Sequence, residues 1–447
     1  MYQLQYSMAL TKDQIFAQVD AHNIKNISLQ FTDIFGVLKQ TTIPIDRLEE
    51  VLIDGVWFDG SSIKGFMRIS ESDMLLQPDS STWYVLPWSS GSFKTGNMIC
   101  NILHPDGEPF KGDPRYALQN TLMKVKQAGF EMDTAPEIEF FLFKRDSNGK
   151  PILEPSDSGG YFDLAPFDGG EKIRDMVTEA VHGILDVEMA HHEVAAGQHE
   201  INFTYKDALE MADSVQIYKF ALKQAAARNN VYASFMPKPI SGDNGSGMHT
   251  HMSLRDKSGK NSFYDPDGEY FLSETANQFI AGILEHIKGI SAILSPTVNS
   301  YKRLVVGYEA PVYVCWGPKN RSALVRIPRA KKGTENKATR IELRCPDPST
   351  NPYLAFSAMA LAGLDGIKNQ KTPPPATLGN TYLKNKDLDT LPGTLSEAVM
   401  EMEKSKIARE ALGAHIFDVY LEAKKREWES YNISVSNWEI ENYFSLL

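Results

Sequence analysis

Cysteine is scarce in this chain: only Cys100, Cys315 and Cys345 occur in 447 residues, with no short spacing among them. That excludes a disulfide framework and a zinc knuckle, and it fits a reducing cytoplasm. Basic charge is also in deficit, with Lys and Arg numbering 46 against 57 Asp and Glu, a net charge of −11. An acidic surface argues against nucleic acid or an anionic membrane as the main partner, although a local basic pocket can still hold a phosphate. No apolar run approaches the ~20 residues of a membrane span. The start, MYQLQYSMALTKDQ, lacks a basic segment followed by an apolar one, so no signal peptide is expected. Internal repeats and low-complexity tails are absent too.

What is present is a globular composition, 42% hydrophobic and 23% charged, on a chain too long for one ordinary core. Two domains of unequal size are expected, 1–111 and 112–447. Thr11 with Gln14 has the form of a capping box before a first helix. ISLQFT, DIFG and VLKQTTIP read as a β-hairpin with Gly36 in its turn, and further strand-like pieces run to ICNILHPDG. At Gly112-Asp113-Pro114 the pattern restarts, with Asp113 as N-cap and Pro114 at the first helical position. Leu118, Leu122 and Val125 form an apolar stripe, and Gly129 closes the helix. Further helices are expected over 213–229 and 395–411, the latter with Thr394 and Glu397 resembling a capping box. TPPPATLGN, residues 372–380, reads as an extended excursion or linker.

Three short segments place charged or metal-binding side chains two residues apart on stretches that read as strands: Glu137-Ile138-Glu139, His249-Thr250-His251 and Arg340-Ile341-Glu342-Leu343-Arg344. A strand alternates faces with period two, so each set points one way. A lone E-x-E is usually a solvated surface pair. Here the following FFLF is too apolar for a surface edge, which favours a buried strand with Ile138 and Phe140 facing an apolar layer. Glu193 and Glu200, from HHEVAAGQHEI, complete a set of five carboxylates and two imidazoles. Two like charges about 4 Å apart cost roughly 4 kcal/mol at an effective dielectric near 20. Such a cluster requires cations or raised pKa values, and magnesium or manganese suits oxygen ligands.

His192-Glu193 is not a zinc-protease motif, because no second histidine follows and Gly197 interrupts any helix. Glu193 and Glu200 fit better on either side of a turn. The run GDNGSGMHTHMS lacks the closing Gly-Lys-Ser/Thr of a Walker loop and the third glycine of a dinucleotide motif. Its glycines let backbone amides approach an anion, although a surface turn explains them equally well. Arg321, Arg326, Arg340 and Arg344 supply the basic side, either as a salt-bridged face or as phosphate ligands. Acids for metals with arginines for phosphate is the equipment of phosphoryl transfer.

The runs FDGSSI (58–63), PEIEFF (136–141), HHEVA and GQHEI (191–201), FMPKP (235–239), GDNGSGMH (242–249), NSYKRL (299–304), GYEAP (307–311), NRSA (320–323) and NPYLAF (351–356) together resemble type I glutamine synthetase in its compact, Firmicutes-type form. The resemblance implies an α+β fold: a small N-terminal β-grasp domain and a larger catalytic domain with a curved antiparallel sheet backed by helices. It implies ATP-dependent ligation of ammonia to glutamate, with two to three Mg2+ or Mn2+ ions per site. Glu139, Glu193 and Glu200 would hold one metal; Glu137, His249 and Glu342 would hold the second. Arg303, Asn244, Gly245 and Arg344 would bind glutamate. Arg321 and Arg326 would bind phosphate, with Glu188, His251 and Ser253 near the nucleotide. Asp59 would deprotonate ammonium from a neighbouring subunit, and Glu309 would sit on a flap shielding the intermediate. Arg68 matches a position tied to feedback inhibition by glutamine, with an exposed structural arginine as the competing reading. Tyr382 lies where some relatives are nucleotidylated, a modification not expected of the compact form. Two stacked hexameric rings and a nitrogen-regulatory repressor as partner also follow from resemblance alone. Ala135 and Ile138 depart from the family's Gly-Pro-Glu-Pro-Glu, Val306 replaces a usual proline, and RAKKGTENKAT (329–339) is longer and more basic than expected. Rival readings are a γ-glutamyl ligase using a larger amine and a non-catalytic nitrogen sensor.

Overall fold

The computed structural model describes residues 10–66, 73–88, 94–308, 310–379 and 388–447. Arg68, Glu309 and Tyr382 lie outside them. The helix Lys12–Ala21 begins in the anticipated box, with the Thr11 and Gln14 side chains each reaching the other's backbone amide. Six strands follow: β1 (Ile24–Thr32), β2 (Leu38–Pro44), β3 (Val56–Asp59), β4 (Asp73–Pro78), β5 (Tyr84–Leu86) and β6 (Lys94–Leu103). They form one sheet in the order β2-β1-β6-β4-β3, with β5 also paired to β6. β1 and β2 are the expected hairpin, and Gly36 in its turn has φ of +80°, a conformation glycine adopts without strain. The turn rests on the Asn351 backbone, and Asn351 donates to the Asp33 carbonyl at 3.1 Å.

The helix Pro114–Gln127 starts on Asp113, whose carboxylate accepts from the Arg115 amide. Ten strands then make a second sheet: β7 (Phe130–Arg145), β8 (Pro151–Pro155), β9 (Val187–His192), β10 (Gln198–Phe203), β11 (Lys206–Asp207), β12 (Tyr232–Ser234), β13 (Met248–Asp256), β14 (Trp316–Pro318), β15 (Val325–Ile327) and β16 (Ile341–Leu343). Their order is β14-β15-β16-β13-β7-β10-β9, antiparallel except between β14 and β15, with β8, β11 and β12 also on β7. Ile138, Phe140 and Leu142 of β7 are fully buried on one face, toward the core shared with the helices Pro114–Gln127, Ala208–Arg228, Glu274–Leu294 and Pro352–Lys368. The last of these is apolar around its whole circumference and is buried accordingly.

Three expectations are refined. The helix expected over 213–229 starts earlier, at Ala208, because Asp207 caps it by accepting from the Leu209 amide. The helix expected over 395–411 is two helices, Leu395–Lys404 and Lys406–Asn432; Ser405 leaves the helical conformation and caps the second. Thr394 caps the first, but Glu397 bonds the Gly393 amide instead of completing a capping box. Within 372–379 the chain is extended but docked: Trp316 donates to the Pro374 carbonyl at 2.6 Å and Asn320 to that of Thr377 at 3.0 Å.

Arg115 joins the two sheets. Its buried guanidinium donates to Asn101 at 2.6 Å and Asp79 at 2.7 Å on the first sheet's side, and to both oxygens of Asp213 in the helix Ala208–Arg228. Tyr353 adds a hydroxyl bond to Asp213 at 2.7 Å. Removing one member of a buried pair leaves an uncompensated charge. Arg115→Met is therefore expected to destabilise the fold by about 3–5 kcal/mol, read from chemical denaturation midpoints at unchanged m-value.

Candidate active site

Register builds the site. On the face of β7 opposite Ile138, Glu137 pairs with His249 of β13 and Glu139 with Glu200 of β10. His251 pairs with Glu342 of β16, Glu342 with Arg326 of β15, and Glu200 with His191 of β9. All of these side chains share one parity, so a polar row crosses the sheet and lines a cavity of about 400 Å3. All six expected metal ligands line that cavity, together with Asn244, Gly245, Arg303, Arg321, Arg326 and Arg344.

Two ligand groups separate within it. In the first, Glu137, His249 and Glu342 offer atoms within 4.8 Å of one another. Glu137 faces His251 Nε2 at 2.8 Å and His249 Nδ1 at 3.3 Å. Burial opposes its ionisation, but these two imidazoles outweigh burial and hold its pKa well below the usual carboxylate range. Glu342, 1% exposed, is met by Arg326 at 2.6 Å and Arg344 Nε at 3.1 Å. Burial is again outweighed, by His251, His249 and Arg344, and its pKa falls. Its Oε1 nevertheless accepts no hydrogen bond from the described residues.

In the second, His191, Glu193 and Glu200 come within 4.8 Å. Glu193 follows β9 and Glu200 lies in β10, so the turn expected between them is present. Glu139 sits beside them, accepting from the Gly247 amide and Gln198 Nε2, each at 2.9 Å. Burial, then the charges of Glu200 and Glu193, push its pKa well up.

Arg303 is buried beneath the 244–247 loop and donates to the carbonyls of Cys345, Pro346 and Arg344 at 2.9–3.2 Å. Buried Arg344 keeps NH1 without a protein partner. Arg340 turns instead to His251, donating to Nδ1 at 3.1 Å, and the charge of Glu188 acts on it. Glu188, His251 and Ser253 thus lie on the same sheet but outside the cavity lining. Asp59 also lies outside it, at the exposed end of β3, accepting from Ser61 and Ser62. Lys238 packs over the Tyr308 ring at 3.7 Å, next to the expected flap. Sequence reasoning missed His191 and Gln198; the H-x-E spacing of His191 and Glu193, and the placement of Gln198 two residues before Glu200, were the available signals.

Residues 23–105 match the family model for the glutamine synthetase beta-Grasp domain, and residues 111–443 match that for the glutamine synthetase catalytic domain. The chain belongs to the glutamine synthetase family. Relatives named glutamine synthetase from Thermus thermophilus and Methanosarcina mazei are each 48% identical, over 98% and 99% of this chain and 100% of theirs. One from Staphylococcus epidermidis is 46% identical over 97% of this chain and 98% of its own, placing Firmicutes among the relatives. A solved GmaS complex with ADP superposes with a TM-score of 0.88 at 31% identity, covering 98% of this chain and 100% of that one. A Plasmodium falciparum glutamine synthetase solved by cryo-EM does so at 0.87 and 25% identity, with the same coverage. The fold, a β-grasp domain with a catalytic domain on a curled sheet, is the family's, and the chain is an enzyme of that family.

The donor set fits divalent metal. Carboxylate oxygens with a single imidazole suit Mg2+ or Mn2+, and both the unpaired Glu342 oxygen and the mutual repulsion around Glu139 are relieved by a cation. Mg2+ or Mn2+ at a hundredfold excess over its dissociation constant is expected to stabilise the fold by about 2.7 kcal/mol, seen as a raised melting temperature. Glu139→Gln keeps an acceptor for Gly247 and removes one repelling charge. Its metal-free form is expected to melt no lower than the metal-free wild type, with the metal-induced shift reduced.

Proposed function

We propose that this chain makes L-glutamine from L-glutamate, ammonia and ATP through γ-glutamyl phosphate. The observation that carries this reading is the convergence of two acidic groups and four arginines on one cavity, with one carboxylate, Glu139, charged only at a cost. In the first step a γ-carboxylate oxygen of glutamate attacks the γ-phosphorus of ATP, and the bond to the ADP oxygen breaks. In the second, ammonia attacks the acyl carbon and phosphate leaves. Ammonium therefore has to lose a proton before attack, and the amide nitrogen loses another as it forms.

Each group has a role in that sequence. Two divalent ions, held by Glu139, Glu193 and Glu200 and by Glu137, His249 and Glu342, supply positive charge against the transferring phosphoryl group. Arg303, Asn244 and Gly245 orient glutamate. Arg321, Arg326 and the unpaired NH1 of Arg344 take phosphate oxygens. Glu188, His251 and Ser253 border the nucleotide. Glu309 closes over the acyl phosphate, which water would otherwise hydrolyse. Asp59 takes the ammonium proton across a subunit boundary. Its place outside the cavity of its own chain supports an assembly in which neighbours complete each site. The exposed apolar side chains of Trp438, Ile440, Phe444 and Leu447 support further contacts, as in a dodecamer of two rings. A cytoplasmic enzyme inhibited by its product through Arg68, and docking a nitrogen-regulatory repressor, belongs to the same proposal.

Phosphate release from ATP and glutamate is expected to require ammonium; equal or faster turnover with a polyamine would overturn the choice of amine. Glu309→Ala is expected to keep ATP binding while lowering glutamine formed per phosphate released, and a one-to-one yield in that variant would remove the shielding role.

A further inference from the structure

Behind the turn that joins β9 to β10 lies a buried polar knot that the reaction above does not use. Asp157, Asp168, His192 and His199 bring ligand-type atoms within 4.8 Å of one another. Such a set resembles a metal site, and His199 Nε2, fully buried, donates to no acceptor at hydrogen-bond distance. The charges are already balanced, however. Arg174 grips Asp168 through NH1 at 3.0 Å and NH2 at 2.6 Å, and its NH1 also donates to His199 Nδ1 at 2.9 Å. A dication there would face a guanidinium. His192 lies between two acceptors, with Nε2 at 2.9 Å from Asp157 and Nδ1 at 2.6 Å from the Glu193 carbonyl.

The knot has a different use. Asp157 also accepts from the Gly197 amide at 2.8 Å and the Gly169 amide at 2.9 Å. Gly197 ends the turn with φ of +67°. One carboxylate thus fixes the turn at its far end through Gly197 and at its near end through His192 and the Glu193 carbonyl. Those two ends carry Glu193 and Glu200, which repel each other and Glu139. A turn free to open would let the acids separate and leave the metal to pay for drawing them together. We infer that Asp157 is a positioning residue: it holds Glu193 and Glu200 at ligand spacing before the metal arrives. The inference rests on the proposed assignment of Glu139, Glu193 and Glu200 to one metal.

The test is Mn2+ binding to the full-length protein, followed by the electron paramagnetic resonance of free Mn2+, with ADP affinity measured alongside. In the wild type, Glu200→Gln first identifies which Mn2+ class belongs to this group. If no class responds to Glu200→Gln, the metal assignment itself fails and the inference falls with it. In Asp157→Asn that class is expected to weaken 10–100-fold, as for other groups that orient metal ligands, while ADP affinity stays within twofold. Saturating Mn2+ is expected to restore most of the turnover. Unchanged Mn2+ affinity in Asp157→Asn, with or without a lower melting temperature, would overturn the inference and leave Asp157 a packing residue. Should Asp157→Asn not fold, His192→Gln breaks the link to the Glu193 carbonyl and is expected to weaken the same class by a smaller factor; no change in that variant is equally decisive against it.

Discussion

Glu139, Glu193 and Glu200 face one another across a narrow cavity, and Coulomb repulsion among them sets the terms for everything around it. Roughly 4 kcal/mol opposes each close pair of charges in a poorly solvated site. A scaffold that tolerates this must be stiff, and antiparallel register on both sides of β7 supplies the stiffness. The underside of the same strand is Ile138, Phe140 and Leu142, fully buried against helices, so β7 cannot slip by one residue without exchanging its acids for its core. Repulsion above and apolar packing below are two consequences of one alternating sequence.

The arginines divide by what already occupies them. Arg303 spends its donors on three backbone carbonyls and is a wall of the site; its charge remains, but its orientation is fixed. Arg326 is half committed to Glu342, and Arg344 retains an unused nitrogen in a buried position. Leaving a buried donor unpaired costs free energy, and a site that binds an anion recovers that cost on binding. Arg340 turned out to orient His251 rather than to flank Glu342 as an equal of Arg344.

Much of this was legible in the chain itself. The two-residue spacing of Glu137 and Glu139, and of His249 and His251, specified a face, and the apolar residues between them said which face was buried. Caps at Thr11 and Asp113 marked helix starts because a side-chain oxygen next to a free amide is a local event. What escaped was tertiary. Nothing local tells Ser405 that it ends one helix and begins another, since its neighbours favour helix on both sides. The stretch 372–379 reads as a linker because proline removes its donors, yet its carbonyls are met by Trp316 and Asn320 from 50 or more residues away. His191 and the knot around Asp157 depend on which strands pair, which the order of residues along the chain does not state.

The guanidinium of Arg115 has a consequence for how the molecule melts. It is shared between carboxylates that the smaller sheet and the larger helical layer each contribute, so neither layer can come apart alone without stranding a charge in an apolar interior. Heat or urea therefore meets a single cooperative unit across this seam, and the small sheet, which on its own would be the weaker part, borrows its persistence from the larger body.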